Sequence, residues 1–244
     1  RSLIKANMLK STVFDQLRVV KLKPRKTNKA SGKKVDKKCR EGRTIEDYRK
    51  YMLEHPDAIE VECDTVIGKI GGKCLLTIIF PNTSLMLIFL CDNKTAFCIQ
   101  SKFEFLYEGL KEDFKTLLEV ILTDNGSEFS NPTAIEFDSD NKRRSNVFYC
   151  DPMASWQKPH VEQNHRLIRR ILPKGTSFDD LTQNEVSLMM SHINSYKRPV
   201  LGNRSPFEMF SFLYGEDKLN TLLHLTCQKI ISPNDVILKP SLVK

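Results

Sequence analysis

Three acidic residues have the type and spacing to do chemistry: Asp64 in Glu62-Cys63-Asp64-Thr65, Asp124 in Thr123-Asp124-Asn125-Gly126, and Glu162 in His160-Val161-Glu162-Gln163. Carboxylates are hard oxygen ligands. Three of them suit a divalent cation such as Mg²⁺, which takes oxygen donors and keeps positions open for water and phosphate. Asp64 closes an alternating stretch with Ile59, Val61 and Cys63 on one face, the pattern of a strand. Asp124 follows the apolar run Val120, Ile121, Leu122 and precedes a turn-forming Asn-Gly, which puts it at a strand end.

Glu162 falls on a predicted helix where Val161, Ile168 and Leu172 pack inward, so it borders the core side. Arg166 and Arg169, at i+4 and i+7, extend along its stripe, and Lys158 lengthens the ridge. Such a ridge would position a phosphodiester backbone beside its point of cleavage. Each acid alone has an ordinary reading: Asp-Asn-Gly is commonly a hairpin turn, and a helical Glu with Arg at i+4 a surface pair. Order and spacing set them apart, with 60 positions from Asp64 to Asp124 and 38 from Asp124 to Glu162.

The elements that must carry these groups follow from periodicity and punctuation. A short helix over Thr44 to Glu54 stops at Pro56. Strands follow at Ile59 to Ile67, Lys73 to Phe80 and Ser84 to Cys91, the first two joined by a turn rich in glycine. Ile99, Phe103, Leu106 and Leu110 recur at helical spacing, followed by Phe114 and Leu117, with Gly109 as the expected break. Further strands are expected at Glu119 to Thr123 and Val147 to Cys150. Antiparallel strands, a helix and then more strands give a mixed α/β pattern with a crossover.

The later chain reads as helical. Pro159 suits the first turn of a helix that runs to about Leu172; Thr182 with Glu185, and Ser205 with Glu208, read as capping boxes, Pro206 taking the first helical position. A last amphipathic stretch runs from Leu219 to Ile230. Residues 1–20 have some helical periodicity. The expected organisation is a basic linker with the remnant of a preceding module over 1–50, a core over 51–214 and a helical tail over 215–244.

Residues 1–50 hold 17 Lys or Arg against 5 Asp or Glu, whereas the other 194 hold 21 against 25. The basic character therefore belongs to one end. Lys33, Lys34, Lys37 and Lys38 lie in a stretch with too few apolar residues to fold alone, where dense cations attract nucleic acid by releasing counterions from phosphates. A solvated linker that binds nothing is the plain alternative. An anionic membrane surface is disfavoured, since no amphipathic or lipidated anchor accompanies the run.

The 244 residues can bury a full core, and the apolar runs Cys74 to Phe80 and Leu85 to Cys91 are too short to cross a bilayer. The reading is a soluble protein without an export leader, and the opening Arg1 suggests a reading frame that begins inside a longer protein. Seven scattered cysteines without a close pair read as reduced, mostly buried thiols.

Several stretches together carry a resemblance to a known family. They are Cys63-Asp64-Thr65-Val66-Ile67-Gly68-Lys69, Leu122 through Phe129 (LTDNGSEF), Phe148-Tyr149-Cys150-Asp151-Pro152, and Ser155-Trp156-Gln157-Lys158 leading to Glu162, Asn164 and His165. Leu172-Pro173-Lys174-Gly175-Thr176 and Arg204-Ser205-Pro206-Phe207-Glu208 complete the pattern. Over about residues 20 to 215 the chain resembles the bacterial DDE transposases of insertion sequences, specifically the IS-thirty family, whose cores share the ribonuclease H-like fold of retroviral integrases. The resemblance implies an α/β fold: a ribonuclease H-like mixed sheet of about five strands flanked by helices, with a basic N-terminal extension and a helical C-terminal tail.

It further implies a DNA transposase that cleaves and joins strands by two-metal phosphoryl transfer. Asp64, Asp124 and Glu162 would hold two Mg²⁺ or Mn²⁺ ions, roughly 3.5 to 4 Å apart in such sites, without a covalent protein intermediate. One ion would activate water or a 3′-hydroxyl, and the other would stabilise the leaving oxygen. The implied partners are DNA, as terminal inverted repeats and target, and further copies of the chain; the implied location is the bacterial cytoplasm, at the nucleoid. Asn125 is a candidate to hold the turn that aims Asp124, Trp156 to support the loop before the Glu162 helix, and His165 to contact DNA or assist near the metals; for Glu62 the expected role is structural. Two departures stand out: Pro159 occupies a place where a small residue is expected, and the family's N-terminal helix-turn-helix is missing or truncated. The second favours the alternative of a truncated, non-catalytic fragment that binds DNA or oligomerises and so represses.

Overall fold

The structure is a computed structural model in which residues 37–243 are described. The periodicity at residues 1–20 and the cations Lys33 and Lys34 lie outside the described residues. A 3-10 helix at Lys37–Arg40 leads into α1 (Ile45–Glu54), whose first turn is closed by a capping box between Thr44 and Asp47. Three antiparallel strands follow: β1 (Glu60–Ile67), β2 (Cys74–Phe80) and β3 (Leu85–Cys91). The chain then crosses over through α2 (Ala96–Leu110) and α3 (Glu112–Leu117) to β4 (Val120–Thr123). After the short α4 (Thr133–Glu136) comes β5 (Asn146–Tyr149). The rest is helical: α5 (Pro159–Ile171), α6 (Gln183–Ser195), α7 (Pro206–Tyr214) and α8 (Glu216–Leu225).

The strands form one sheet in the order β3-β2-β1-β4-β5, with β2 antiparallel to both neighbours and β1, β4 and β5 mutually parallel. This is the ribonuclease H-like arrangement. The β2 and β3 strands are apolar along their length except for Thr77, because helices cover both of their faces. On one face Val61, Cys63, Ile121 and Val147 pack with residues of α2, α3, α7 and α8.

The opposite face is shared by two clusters. Leu75, Ile79, Met86 and Ile88 pack under α5 and α6, while Val120, Leu122 and Phe148 pack under α1. By the two-residue period of a strand, Glu62 and Asp64 share the side of Val66, and Asp124 that of Leu122. The acids therefore emerge where the two clusters part.

Three boundaries differ from the sequence expectation. The α2–α3 break falls at Lys111, with φ of 55°, and not at Gly109, which stays helical. Gly109 serves close packing instead: a Cβ there would lie 2.5 Å from Leu225. The last helix begins at Glu216 and stops at Leu225, short of Ile230, as the chain turns through Cys227 at φ 53°. Both expected capping boxes, at Thr182/Glu185 and Ser205/Glu208, are formed.

Candidate active site

The parallel β1–β4 register pairs Glu60 with Val120, Val61 with Ile121 and Glu62 with Leu122. The same offset carried two residues on sets Asp64 beside Asp124, which follows the last residue of β4, while β1 runs on past Asp64 to Ile67 and so does not close at the acid as expected. Both acids line one pocket, with Asn125, Gly126, Cys150, residues 151–155 and Lys158. Asp124 accepts from the N–H of Gly126 at 3.0 Å, forming an Asx turn, and Asn125 donates through Nδ2 to the Cys150 carbonyl at 2.5 Å. Asn125 thus pins the turn that carries Asp124.

Burial pushes the Asp64 carboxyl above its usual range, and the negative charge of Asp124 pushes the same way against the pull of Lys158. Lys158 is 5 % exposed; its ammonium donates to the Cys63 carbonyl at 2.8 Å and stands 3.9 Å from Asp64 Oδ2. This differs from the surface ridge expected of it. Lys158 precedes the first turn of α5, so its side chain runs back over β1 and not along the helix. Arg169 also folds onto the sheet, donating to the Ile67 carbonyl at 2.9 Å, while Arg166 is exposed.

Glu162 lies in the first turn of α5 and faces solvent, outside the pocket lining. Among the described residues no group of three or more His, Cys, Asp or Glu is arranged to hold a metal ion. The structure therefore brings Asp64 and Asp124 together and leaves Glu162 on the exposed face of the adjacent helix. Two hard oxygen donors at one pocket, where burial disfavours the ionised Asp64, still form a site whose charge a cation would offset.

Glu62, only 1 % exposed, ties β1 to α5 by accepting from the N–H of Val161 at 2.8 Å and from His160 Nδ1 at 2.7 Å. Lys158 gives α5 no side-chain cap, so Glu62 fills that role from across the fold. Thr77 Oγ1 donates to the Asp64 carbonyl at 3.1 Å, which leaves His165 Nε2, 2.9 Å away, as the donor to Thr77. Burial drives the His165 pKa down to about 4, so the ring is neutral and supports the strand beneath Asp64.

Trp156 is 74 % exposed in the 3-10 helix Ser155–Gln157 and does not pack beneath its loop. Gln157 holds that loop instead, accepting from the Asp151 N–H at 2.8 Å and donating to Asp151 Oδ2 at 2.9 Å. Lys37 opens the first 3-10 helix and Lys38, exposed, follows it.

Sequence reasoning passed over Lys94 and Glu128. Glu128 is 1 % exposed and lies just beyond Asp124; its Oε1 accepts from Thr65 Oγ1 at 2.8 Å and from Lys94 Nζ at 2.8 Å. The available signal was a carboxylate between Ser127 and Phe129 in a stretch that otherwise turns inward.

No family model matches the chain. It is 27 % identical over 179 residues to a transposase for insertion sequence element IS4351 of Bacteroides fragilis, covering 73 % of this chain and 52 % of that protein. It is 29 % identical over 150 residues to a putative integrase, ORF3, of Spiroplasma virus SpV1-R8A2 B, covering 62 % of this chain and 45 % of that one. Among solved structures, the catalytic core domain of BIV integrase aligns at TM-score 0.43 and 18 % identity, over 63 % of this chain and 93 % of that one. The chain spans about half the length of the curated relatives it matches. With its strand order and with Asp64 inside β1 beside Asp124 just past β4, the chain is related to the DDE-transposase and integrase superfamily and carries that superfamily's ribonuclease H-like core.

Proposed function

We propose that the protein is a metal-dependent DNA transposase of the IS-thirty family, cleaving and joining strands at the terminal inverted repeats of an insertion sequence. The observation that carries this reading is the juxtaposition of Asp64 and Asp124 on neighbouring parallel strands at one pocket. The family refinement rests on the LTDNGSEF stretch and on the Asp151-Pro152 to Lys158 stretch. Asp64 and Asp124 would hold Mg²⁺ or Mn²⁺, with Glu162 as the third ligand from the edge of α5. Two bound ions would supply activation of an attacking oxygen and charge neutralisation on the leaving oxygen.

The remaining work falls to this chain's own residues. Asn125 and the Asx turn aim the Asp124 carboxylate; Glu62 sets the start of α5, and with it Glu162, against β1. Lys158 neutralises part of the charge on Asp64 from below. The basic run that includes Lys33, Lys34, Lys37 and Lys38, with Arg166 on the exposed side of α5, supplies phosphate contacts. The working assembly is a multimer of this chain on DNA, in the bacterial cytoplasm at the nucleoid. Among the described residues, no helix is long and apolar enough to cross a membrane.

A second reading is favoured by one observation: Glu162 stands outside the pocket, as it would in a non-catalytic fragment that binds DNA or oligomerises and so represses. Nicking of DNA carrying cognate terminal repeats, with Mn²⁺ added, separates the two. The enzyme reading expects Asp64→Asn, Asp124→Asn and Glu162→Gln each to abolish nicking while DNA binding persists. Nicking that survives all three substitutions would overturn it, and DNA binding without nicking in the parent protein would select the repressor.

A further inference from the structure

The buried Glu128 carboxylate binds β1 one residue past Asp64 and lies against the turn that follows Asp124. Its Oε1 meets the hydroxyl of Thr65, the residue after Asp64, and the ammonium of Lys94 from the β3–α2 connection. Its Oε2 is buried with no hydrogen-bond partner, and a Cβ on Gly126, two residues after Asp124, would stand 2.3 Å from it. A buried carboxylate is stable only when paired, and Lys94 provides the charge. Yet the Lys94 side chain remains 36 % exposed, so the residue that neutralises Glu128 is itself only partly buried. Asp64 and Asp124 also act on it electrostatically.

Two ammonium groups thus flank the acid pair, and they differ in kind. Lys158 is buried and committed to the Cys63 carbonyl. Lys94 is tethered at the rim, where a ligand can reach it. A tether of this sort lowers the side-chain entropy that a long cation loses when it engages an anion.

We propose that Lys94, held by Glu128, is a substrate-positioning residue that engages a backbone phosphate of the DNA strand lying across Asp64 and Asp124. This rests on the strand-cleavage reading above. Lys94 adds a phosphate contact beside the acid pair, outside the pocket lining and separate from the N-terminal basic run.

The test measures binding of a fluorescein-labelled 30-base-pair duplex by anisotropy across a salt series, together with Mn²⁺-dependent nicking of supercoiled plasmid. Lys94→Ala is expected to bind roughly fivefold more weakly at physiological salt and to lower the slope of log K against log salt by about 0.9, the value of one phosphate contact. Its KM for plasmid should rise by a similar factor with kcat little changed, and Lys94→Arg should restore both. Glu128→Gln, which keeps the shape and releases the tether, should raise KM as well. The double variant Lys94→Gln/Glu128→Gln removes both buried-pair charges together, so it provides a folded comparison if Lys94→Ala melts early.

Unchanged affinity and slope in a folded Lys94 variant, or a fall in kcat with KM unmoved, would overturn the proposal while leaving the parent's nicking intact. A parent protein that neither binds duplex nor nicks plasmid would instead defeat the strand-cleavage reading, and this inference with it.

Discussion

Glu62 on β1 accepts the main-chain N–H of Val161 at 2.8 Å, so the strand that bears Asp64 also caps the helix that bears Glu162. Truncating it by Glu62→Ala would strand a buried N–H and the His160 ring together. The expected loss is roughly 2 to 4 kcal/mol, since hydrogen bonds to charged groups contribute about 1.5 to 3 kcal/mol each and are not additive. Urea melts should show a lower midpoint with the m-value kept. An unchanged midpoint would deny Glu62 its capping role.

Burial and the charge of Asp124 disfavour the ionised form of Asp64. A carboxyl raised in the folded state binds its proton more tightly there than in the unfolded chain. Stability from this group therefore increases as pH falls through the folded pKa, and the charged form is a burden above it. Metal-free Asp64→Asn should consequently melt higher than the parent, by roughly 2 to 4 °C for each kcal/mol relieved. Added Mn²⁺ should raise the Tm of the parent and leave Asp64→Asn nearly unmoved. A lower Tm for the metal-free variant would contradict the electrostatic account.

His165 titrates in the opposite sense. Its folded pKa, about 4, lies below the ordinary value of 6.5, so the unfolded chain takes up a proton first as the solution is acidified. Stability is complete above pH 6.5 and declines between 6.5 and 4, by an amount on the order of 3 kcal/mol. The variant His165→Gln, which keeps a donor for Thr77, should flatten that part of the stability–pH curve. Equal acid sensitivity in the variant would place the titrating group elsewhere.

Gly126 has an ordinary φ of −64°, so alanine is permitted there by the backbone and opposed first by Glu128, whose Oε2 would lie 2.3 Å from the new Cβ. Gly126→Ala should lower Tm by several degrees and reduce Mn²⁺-dependent nicking by about tenfold or more, since a displacement of order 1 Å at a catalytic group can cost 10²-fold. Wild-type nicking by this variant would show that Glu128 yields freely.

Much of the sheet was legible because burial on two faces writes continuous apolar runs at β2 and β3, and the local patterns around Asp64 and Asp124 end in turn chemistry. The register could not be read locally. It depends on pairing between segments 60 positions apart, and only that pairing sets the two acids side by side. Lys158 escaped for a similar reason: helical spacing describes a stripe along α5, but the residue just before the first turn aims backward onto β1. Gly109 reads as a breaker until Leu225, more than a hundred positions later, turns out to fill its missing side chain's place. Gln157, to which the sequence assigned no part, holds the loop expected of Trp156, because polar geometry fixes it and apolar content does not reveal that.

The β1–β2–β3 hairpins join neighbouring segments, whereas β1 and β4 must meet across two strands and two helices, a closure that is entropically later and slower. A slip of one residue in that closure would throw Asp124 to the other side of the sheet, into apolar packing where a carboxylate is not tolerated. Meeting of the acid pair thus comes late in folding: a chain still emerging from the ribosome carries its hairpins before Asp64 and Asp124 stand side by side.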